Sequence, residues 1–206
     1  ALHSELEAVK KKLKAAADAL GKKRAAAARV LSAEIEKALH ELNMEKARFM
    51  VSIAPQKFTP SGMDNVEFMI ATNPGEELKP LVKIASGGEL SRVMLAIKSI
   101  LAGSDDVETL IFDEIDTGVS GSAAQKIADK LKAIALNKQV ICITHLPQIA
   151  GAADNHFLIE KDTDGELAST SLTLLSHDGR VAELARIVGG GKAGEDYAAE
   201  MLKNCK

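Results

Sequence analysis

Apolar positions in the first fifty residues keep a helical period. Leu2, Leu6, Val9, Leu13, Ala16 and Leu20 recur at alternating steps of four and three with charged residues between them, which is the seam of a coiled coil. The seam resumes as Ala27, Leu31, Ile35, Ala38, Leu42 and Phe49 after consecutive four-residue steps that resemble a stutter. Residues 1 to about 50 are therefore predicted as one long helix, and its seam calls for a partner helix. Pro55, Pro60 and Gly62 break the pattern and mark the junction with the next part of the chain.

Beyond the junction the period changes. Val66 to Ala71 suits a strand, Thr72 to Glu77 a turn leading into Leu81 to Ile84, and the run Leu90, Val93, Met94, Ile97 a helix beginning at Ser86. Val107 to Phe112 is short, apolar and rich in β-branched residues, bounded by Ser104-Asp105-Asp106 and Asp116-Thr117-Gly118, as a buried strand is. A helix over Gly121 to Ala135 and a strand over Gln139 to Ile143 complete a βαβ unit, which makes the two strands parallel and brings their C-terminal ends to one edge. Open α/β sheets bind ligands at that edge. Pro147 to Ala152 reads as a short helix with proline in its first turn. Asn155 to Lys161 and Leu167 to Leu175 read as a hairpin around Asp162-Thr163-Asp164-Gly165, and Val181 to Val188 and Glu195 to Leu202 as closing helices. The expected fold class is α/β: a parallel sheet with flanking helices, preceded by a coiled-coil helix.

Composition narrows the class. With 46% hydrophobic and 27% charged residues, a formal net charge of −3 and a pI of about 6.0, the 206 residues have the balance of a soluble globular domain with an attached helix. The N-terminal stretch is charged and amphipathic, so neither a signal peptide nor a membrane span is expected in it. Cys142 and Cys205 form no metal or disulfide pattern, and Cys142 is expected to pack in a core strand, as suits a reducing cytoplasm. An acidic domain binds nucleic acid poorly, because affinity for phosphate backbones comes from clustered Lys and Arg. Lys10-Lys11-Lys12, Lys14 and Lys22-Lys23-Arg24 are read as a solvated outer face, and DNA contact is left to other parts.

Three stretches carry candidate chemistry. Ser86, followed three residues later by Glu89, forms a capping box ahead of an apolar run. That motif does not explain Gly87 and Gly88, each costing up to about 1 kcal/mol relative to alanine within a helix. Glycines at a helix N-terminus let backbone N–H groups approach an anion closely, and a phosphate suits the place. Asp113 and Glu114 stand at the C-terminal end of the first parallel strand. Two adjacent carboxylates there are either an acidic turn or a site where a divalent metal supplies the missing charge and the second carboxylate handles water. His145 ends the second strand, at the same sheet edge.

In that order, Ser86-Gly87-Gly88-Glu89-Leu90-Ser91-Arg92 resembles the signature loop of ABC-type ATPases, Thr109 to Glu114 a Walker B strand with its following glutamate, and His145 a switch histidine. The wording around them, Lys83 to Arg92, Phe112 to Gly121 and Ile143 to Ala150, is similar to the RecN family of bacterial DNA-repair proteins, relatives of the SMC-type chromosome and repair ATPases. The resemblance covers nearly the whole chain. It implies that Ser86 and Gly88, in the loop Ser86 to Glu89, contact the γ-phosphate of ATP held by a second head. It further implies that Asp113 holds the Mg²⁺ shell, Glu114 positions the attacking water and His145 touches the γ-phosphate. Asp116 to Ser120 matches the D-loop region, with Val119-Ser120 where ABC ATPases usually have Leu-Asp.

A P-loop, Gly-x-x-x-x-Gly-Lys-Ser/Thr after a strand, does not occur. Gly189-Gly190-Gly191-Lys192-Ala193 comes nearest, lacks the hydroxyl residue and follows a helical pattern, so it reads as a helix end or joint. By the resemblance the P-loop belongs to an N-terminal lobe across a long coiled-coil arm. The expected layout is residues 1–52 as the returning strand of that arm and 53–206 as the C-terminal lobe of an ABC-type head, the chain being part of a larger protein. The expected function is ATP-dependent DNA double-strand-break repair and recombination in the cytoplasm, at the nucleoid. The expected partners are the N-terminal lobe, a second head forming a homodimer around ATP, and DNA, with no membrane. Two other classes stay open: a nucleotide-binding subunit of an ABC transporter, against which the coiled-coil seam argues, and a non-catalytic coiled-coil scaffold.

Overall fold

The computed structural model describes residues 2–101, 103, 106–162 and 169–204. Ser104, Asp105, the expected hairpin turn Thr163 to Gly165, and Cys205 lie outside the described residues. The chain forms two compact units, Ala1–Ile100 and Leu101–Lys206.

In the first unit, helix α1 (Leu2–Glu41) is shorter than its heptad pattern suggests. Asn43 takes φ 64°, the Met44 N–H donates to Leu39 O at 3.1 Å, and Met44 and Leu39 are both buried. A left-handed Asn followed by this six-to-one bond and apolar contact is a Schellman stop. Phe49 keeps the seam spacing yet sits in strand β1 (Arg48–Thr59), which pairs antiparallel with β2 (Gly62–Ala71), itself paired with the short β3 (Lys79–Pro80). Pro55, Pro60 and Gly62 consequently mark a hairpin, not the end of a helix. Pro60 and Ser61 form its turn, Gly62 takes φ 106°, and Pro55 lies in β1 itself.

Strand β1 is an edge strand, and α1 covers the edge. The Phe49 N–H donates to Glu36 Oε2 and the Val51 N–H to Ser32 Oγ, each at 2.9 Å, while His40 Nε2 lies 3.1 Å from Ala47 O. Four helical residues advance about 6 Å and two strand residues about 6.6 Å, so side chains four apart on the helix meet N–H groups two apart on the strand. Pro55 falls at the same parity as Phe49 and Val51, where the ladder to β2 needs no N–H. Near the turn, Arg24 and Asp64 form an ion pair at 3.0 Å, and Gly21 lies close enough to Asp64 that a Cβ would stand 3.1 Å from its oxygen.

After a single 3-10 turn (Leu81–Lys83), helix α2 spans Gly87–Leu101. In the second unit, β4 (Thr109–Phe112) and β5 (Gln139–Cys142) pair in parallel, joined by α3 (Ser122–Ala135), as the βαβ reading requires. Helix α4 (Pro147–Ala152) starts on its proline, and β6 (Phe157–Asp162) pairs antiparallel with β7 (Ser169–Leu174). Helices α5 (His177–Ile187) and α6 (Gly191–Asn204) begin about four residues earlier than the apolar pattern does. The α5 start is a Ser176 cap accepting the Gly179 N–H. Ala150, Leu184, Ala185, Ala198 and Leu202 form a shared core of α4, α5 and α6. Gly151 permits the close approach there, since a Cβ on it would lie 3.0 Å from Met201 Sδ.

The parallel pair is covered on one face only. Leu110 and Phe112 are buried, whereas Ile111, Ile141 and Ile143 are 66%, 45% and 49% exposed on the other face, so the expectation of a buried strand holds for half of the side chains of β4. Phe157 and Leu174, and Ile159 and Leu172, are direct cross-strand partners on β6 and β7, and all four are exposed. Among the described residues, no helix is long and apolar enough to cross a membrane.

The seam on α1 gives the first testable outcome. Leu2, Leu6, Val9 and Leu13 are each at least half exposed, so the chain is expected to self-associate through them at high concentration. Changing Leu6 and Leu13 together to Lys should abolish the association in sedimentation equilibrium while altering stability by no more than about 0.5 kcal/mol per site. A wild-type chain that stays strictly monomeric would refute it.

Candidate functional site

The two halves of the candidate chemistry lie in different units. In the first, the start of α2 realises the expected cap: the Glu89 N–H reaches Ser86 Oγ at 3.4 Å and the Leu90 N–H donates to Ser86 O at 3.0 Å. Ser86 and Gly87 are exposed and Gly88 is buried. Burial draws the Arg92 guanidinium pKa down, and the neighbouring Glu89 charge draws it partly back. The loop thus presents a hydroxyl and the positive end of a 15-residue helix to solvent.

In the second unit, the C-terminal ends of β4 and β5 are held in register, with Phe112 opposite Cys142 and the Ile143 N–H donating to Phe112 O at 2.9 Å. Asp113 and Glu114 follow β4 directly, and both are exposed. Glu114 takes φ 55°, in the left-handed region, at a cost of about 1 to 2 kcal/mol for a residue with a side chain. Hydrogen bonds on either side hold it there: its N–H donates to Asp113 Oδ1 at 2.9 Å, and the Thr117 N–H donates to Glu114 O at 3.1 Å. Strain of this kind collects at functional sites, where the surroundings over-determine it.

Asp116 is the residue that the sequence pattern marks only as the start of a loop region. It is 3% exposed. Its Oδ2 accepts the Thr144 hydroxyl at 2.5 Å and the His145 backbone N–H at 2.8 Å, and lies 3.1 Å from His145 Nδ1. Thr144 Oγ1 in turn accepts the Leu146 N–H at 3.0 Å. A buried carboxylate needs donors, and here the loop after β5 supplies them to the loop after β4. The signal in the sequence was an aspartate flanked by Ile115 and Val119, both buried, with a Thr-His pair at the end of the paired strand. The His145 side chain is 75% exposed.

Among the described residues no group of three or more His, Cys, Asp or Glu could hold a metal ion. The Gly189 to Lys192 run is the joint between α5 and α6, as expected. Its three glycines take φ 106°, 75° and 71°, and the Gly190 N–H closes α5 by donating to Ala185 O at 2.8 Å. Cys142 is partly buried on β5. Burial first, then the charges of Asp116 and Asp113, push its thiol up to about 12.

No family model matches the chain. Curated relatives do: the chain is 45% identical to the DNA repair protein RecN of Treponema pallidum over all of its length and 36% of that protein's. It is 42% identical to the DNA repair protein RecN of Bacillus subtilis over 98% of its length and 38% of that protein's. The chain thus spans a little over a third of the length of the curated relatives it matches. Among solved structures, the Smc head domain with a coiled coil and joint from Pyrococcus yayanosii superposes with a TM-score of 0.55 at 18% identity, covering 98% of this chain and 34% of that one. The fold is accordingly similar to that of part of an Smc head domain with a coiled coil.

Two testable outcomes come from the site's geometry. Replacing Glu114 by Gly should raise the denaturant midpoint, by roughly 1 kcal/mol of stability, because glycine adopts the left-handed conformation without strain; a lower midpoint would contradict the strain. For Cys142 the folded thiol ionises near 12 and the unfolded one near its ordinary value of 9.0. Both states keep the proton below that value. As pH rises above it the unfolded state ionises first, so stability should fall more steeply in the wild type than in Cys142→Ala between pH 9 and 10.5. Parallel pH curves for the two would rule it out.

Proposed function

For a chain homologous throughout its length to RecN-type DNA repair proteins, we propose that it is the C-terminal lobe of an ATPase head. Residues 1–52 carry the returning end of the coiled-coil arm and residues 53–206 the lobe, in a protein that acts in DNA double-strand-break repair and recombination. The observation that carries the reading is the edge formed by the βαβ unit, where Asp113, the strained Glu114 and the Asp116-anchored His145 follow two parallel strands held in register. The homology of nearly the whole chain supports the biological context.

Each group has one task in this reading. Glu114 accepts hydrogen bonds from the attacking water and draws its proton, a carboxylate's ordinary role in general base catalysis. Asp113 holds the Mg²⁺ shell, and the bound ion neutralises charge on the phosphates. His145 meets the γ-phosphate. Ser86, Gly87, Gly88 and Glu89 form the loop that one head offers to ATP held by a second, so that ATP links two heads of a homodimer and hydrolysis releases them.

The apolar faces support a missing companion. Parallel sheets are ordinarily covered on both sides, and here Ile111, Ile141 and Ile143 on one sheet and Phe157, Ile159, Leu172 and Leu174 on the other stand exposed. An N-terminal lobe bearing the P-loop is the natural cover. DNA contact and nucleoid association belong to the assembled protein in the cytoplasm.

ATP hydrolysis by this chain alone, then by its mixture with the P-loop-bearing N-terminal portion, tests the proposal. Turnover is expected only in the mixture and is expected to fall by at least about 100-fold in Glu114→Gln. Turnover by the chain alone, or a Glu114→Gln mixture as active as wild type, would sink it.

A further inference from the structure

We infer that Asp116 is the positioning residue for His145: it sets the loop, the ring and the tautomer through which the histidine meets its ligand. The inference rests on the proposed contact of His145 with the γ-phosphate and deepens it. Packing does not orient this histidine, because its side chain is 75% exposed while the carboxylate behind it is 3% exposed. What orients it is one oxygen. Asp116 Oδ2 accepts the His145 backbone N–H and the Thr144 hydroxyl, which fixes the path of the loop, and stands 3.1 Å from Nδ1, which fixes the ring.

The chemistry of that contact selects a tautomer. An ionised carboxylate repels the lone pair of a ring nitrogen and attracts its N–H, so Nδ1 carries the proton. Nε2 is then the ring nitrogen left for a ligand. In the neutral ring it accepts a hydrogen bond from water, and in the imidazolium, with its charge balanced by Asp116, it donates to a phosphate oxygen. The opposite tautomer would donate to phosphate from a neutral ring, with no need of a carboxylate. Asp116 therefore decides which partner His145 can serve.

Asp116→Asn is the informative variant: all three contacts fall on one oxygen, so the amide either keeps a neutral oxygen there, without the charge that balances an imidazolium, or turns its NH2 to Nδ1 and gives up the bonds from Thr144 and His145. Nitrogen-15 NMR of the histidine-labelled 206-residue chain should show the Nδ1–H form of His145 in the wild type. An Nε2–H wild type overturns the inference without any variant having to fold. In the full-length protein, Asp116→Asn is expected to lower kcat at least about tenfold with KM for ATP nearly unchanged, and the double variant with His145→Ala to be no worse than His145→Ala alone. Full activity in Asp116→Asn beside an impaired His145→Ala, or additive losses in the double variant, overturns the positioning role. Undiminished turnover in His145→Ala overturns the reading of His145 itself, and the inference with it.

Discussion

One carboxylate oxygen holds the candidate site together. The loops after β4 and β5 would otherwise be two independent, solvent-facing ends. Asp116, drawn inward between Ile115 and Val119, is met there by donors from Thr144 and His145. Satisfying that buried charge is the same event as closing the edge of the sheet. Two residues earlier, Glu114 takes its left-handed conformation between the bonds to Asp113 and Thr117, and the carboxylates of Glu114 and Asp113 both stay in solvent.

Helix α1 answers two requirements with one period. Its first turns carry Leu2, Leu6, Val9 and Leu13, each at least half exposed. Its second half buries Ile35, Ala38 and Leu39 and offers Ser32 and Glu36 to the outer N–H groups of β1. An exposed strand edge invites pairing with other chains; here a helix and Pro55 cover it. Helix α1 is therefore joined to β1 by hydrogen bonds from strand N–H groups to helix side chains as well as by apolar contact, a stiffer attachment than a flexible linker makes.

The uncovered apolar surface and the absent P-loop point the same way. On the proposed reading, a parallel pair buried on one side and a hairpin with four large apolar side chains on one face are half of a layered fold. The relatives, nearly three times as long, have room for the other half. In the proposed function, division of the site between polypeptide portions and between two heads makes hydrolysis depend on assembly, which suits a protein whose engagement has to be timed.

Much of this was legible in the residues themselves. Local signals determined the βαβ unit, the parallel pairing, the cap at Ser86, the proline start of α4 and the glycine joint near residue 190, because periodicity, capping chemistry and the short reach of a crossover act within a few residues of sequence. Asp113, Glu114 and His145 could be named from their places at strand ends. Heptad spacing misled where it ran on to Phe49, since a period says nothing of a left-handed Asn43 that stops the helix. Pro55 and Gly62 were read as breakers because a proline at an edge strand and one at a helix end look alike until a partner strand is present. Which face of each strand is covered, that Glu114 is strained, and that Asp116 binds the loop of His145 were decided by the tertiary structure alone. The first and last of those outcomes depend on contacts between residues some thirty positions apart, whose energies exist only after the crossover has brought them together.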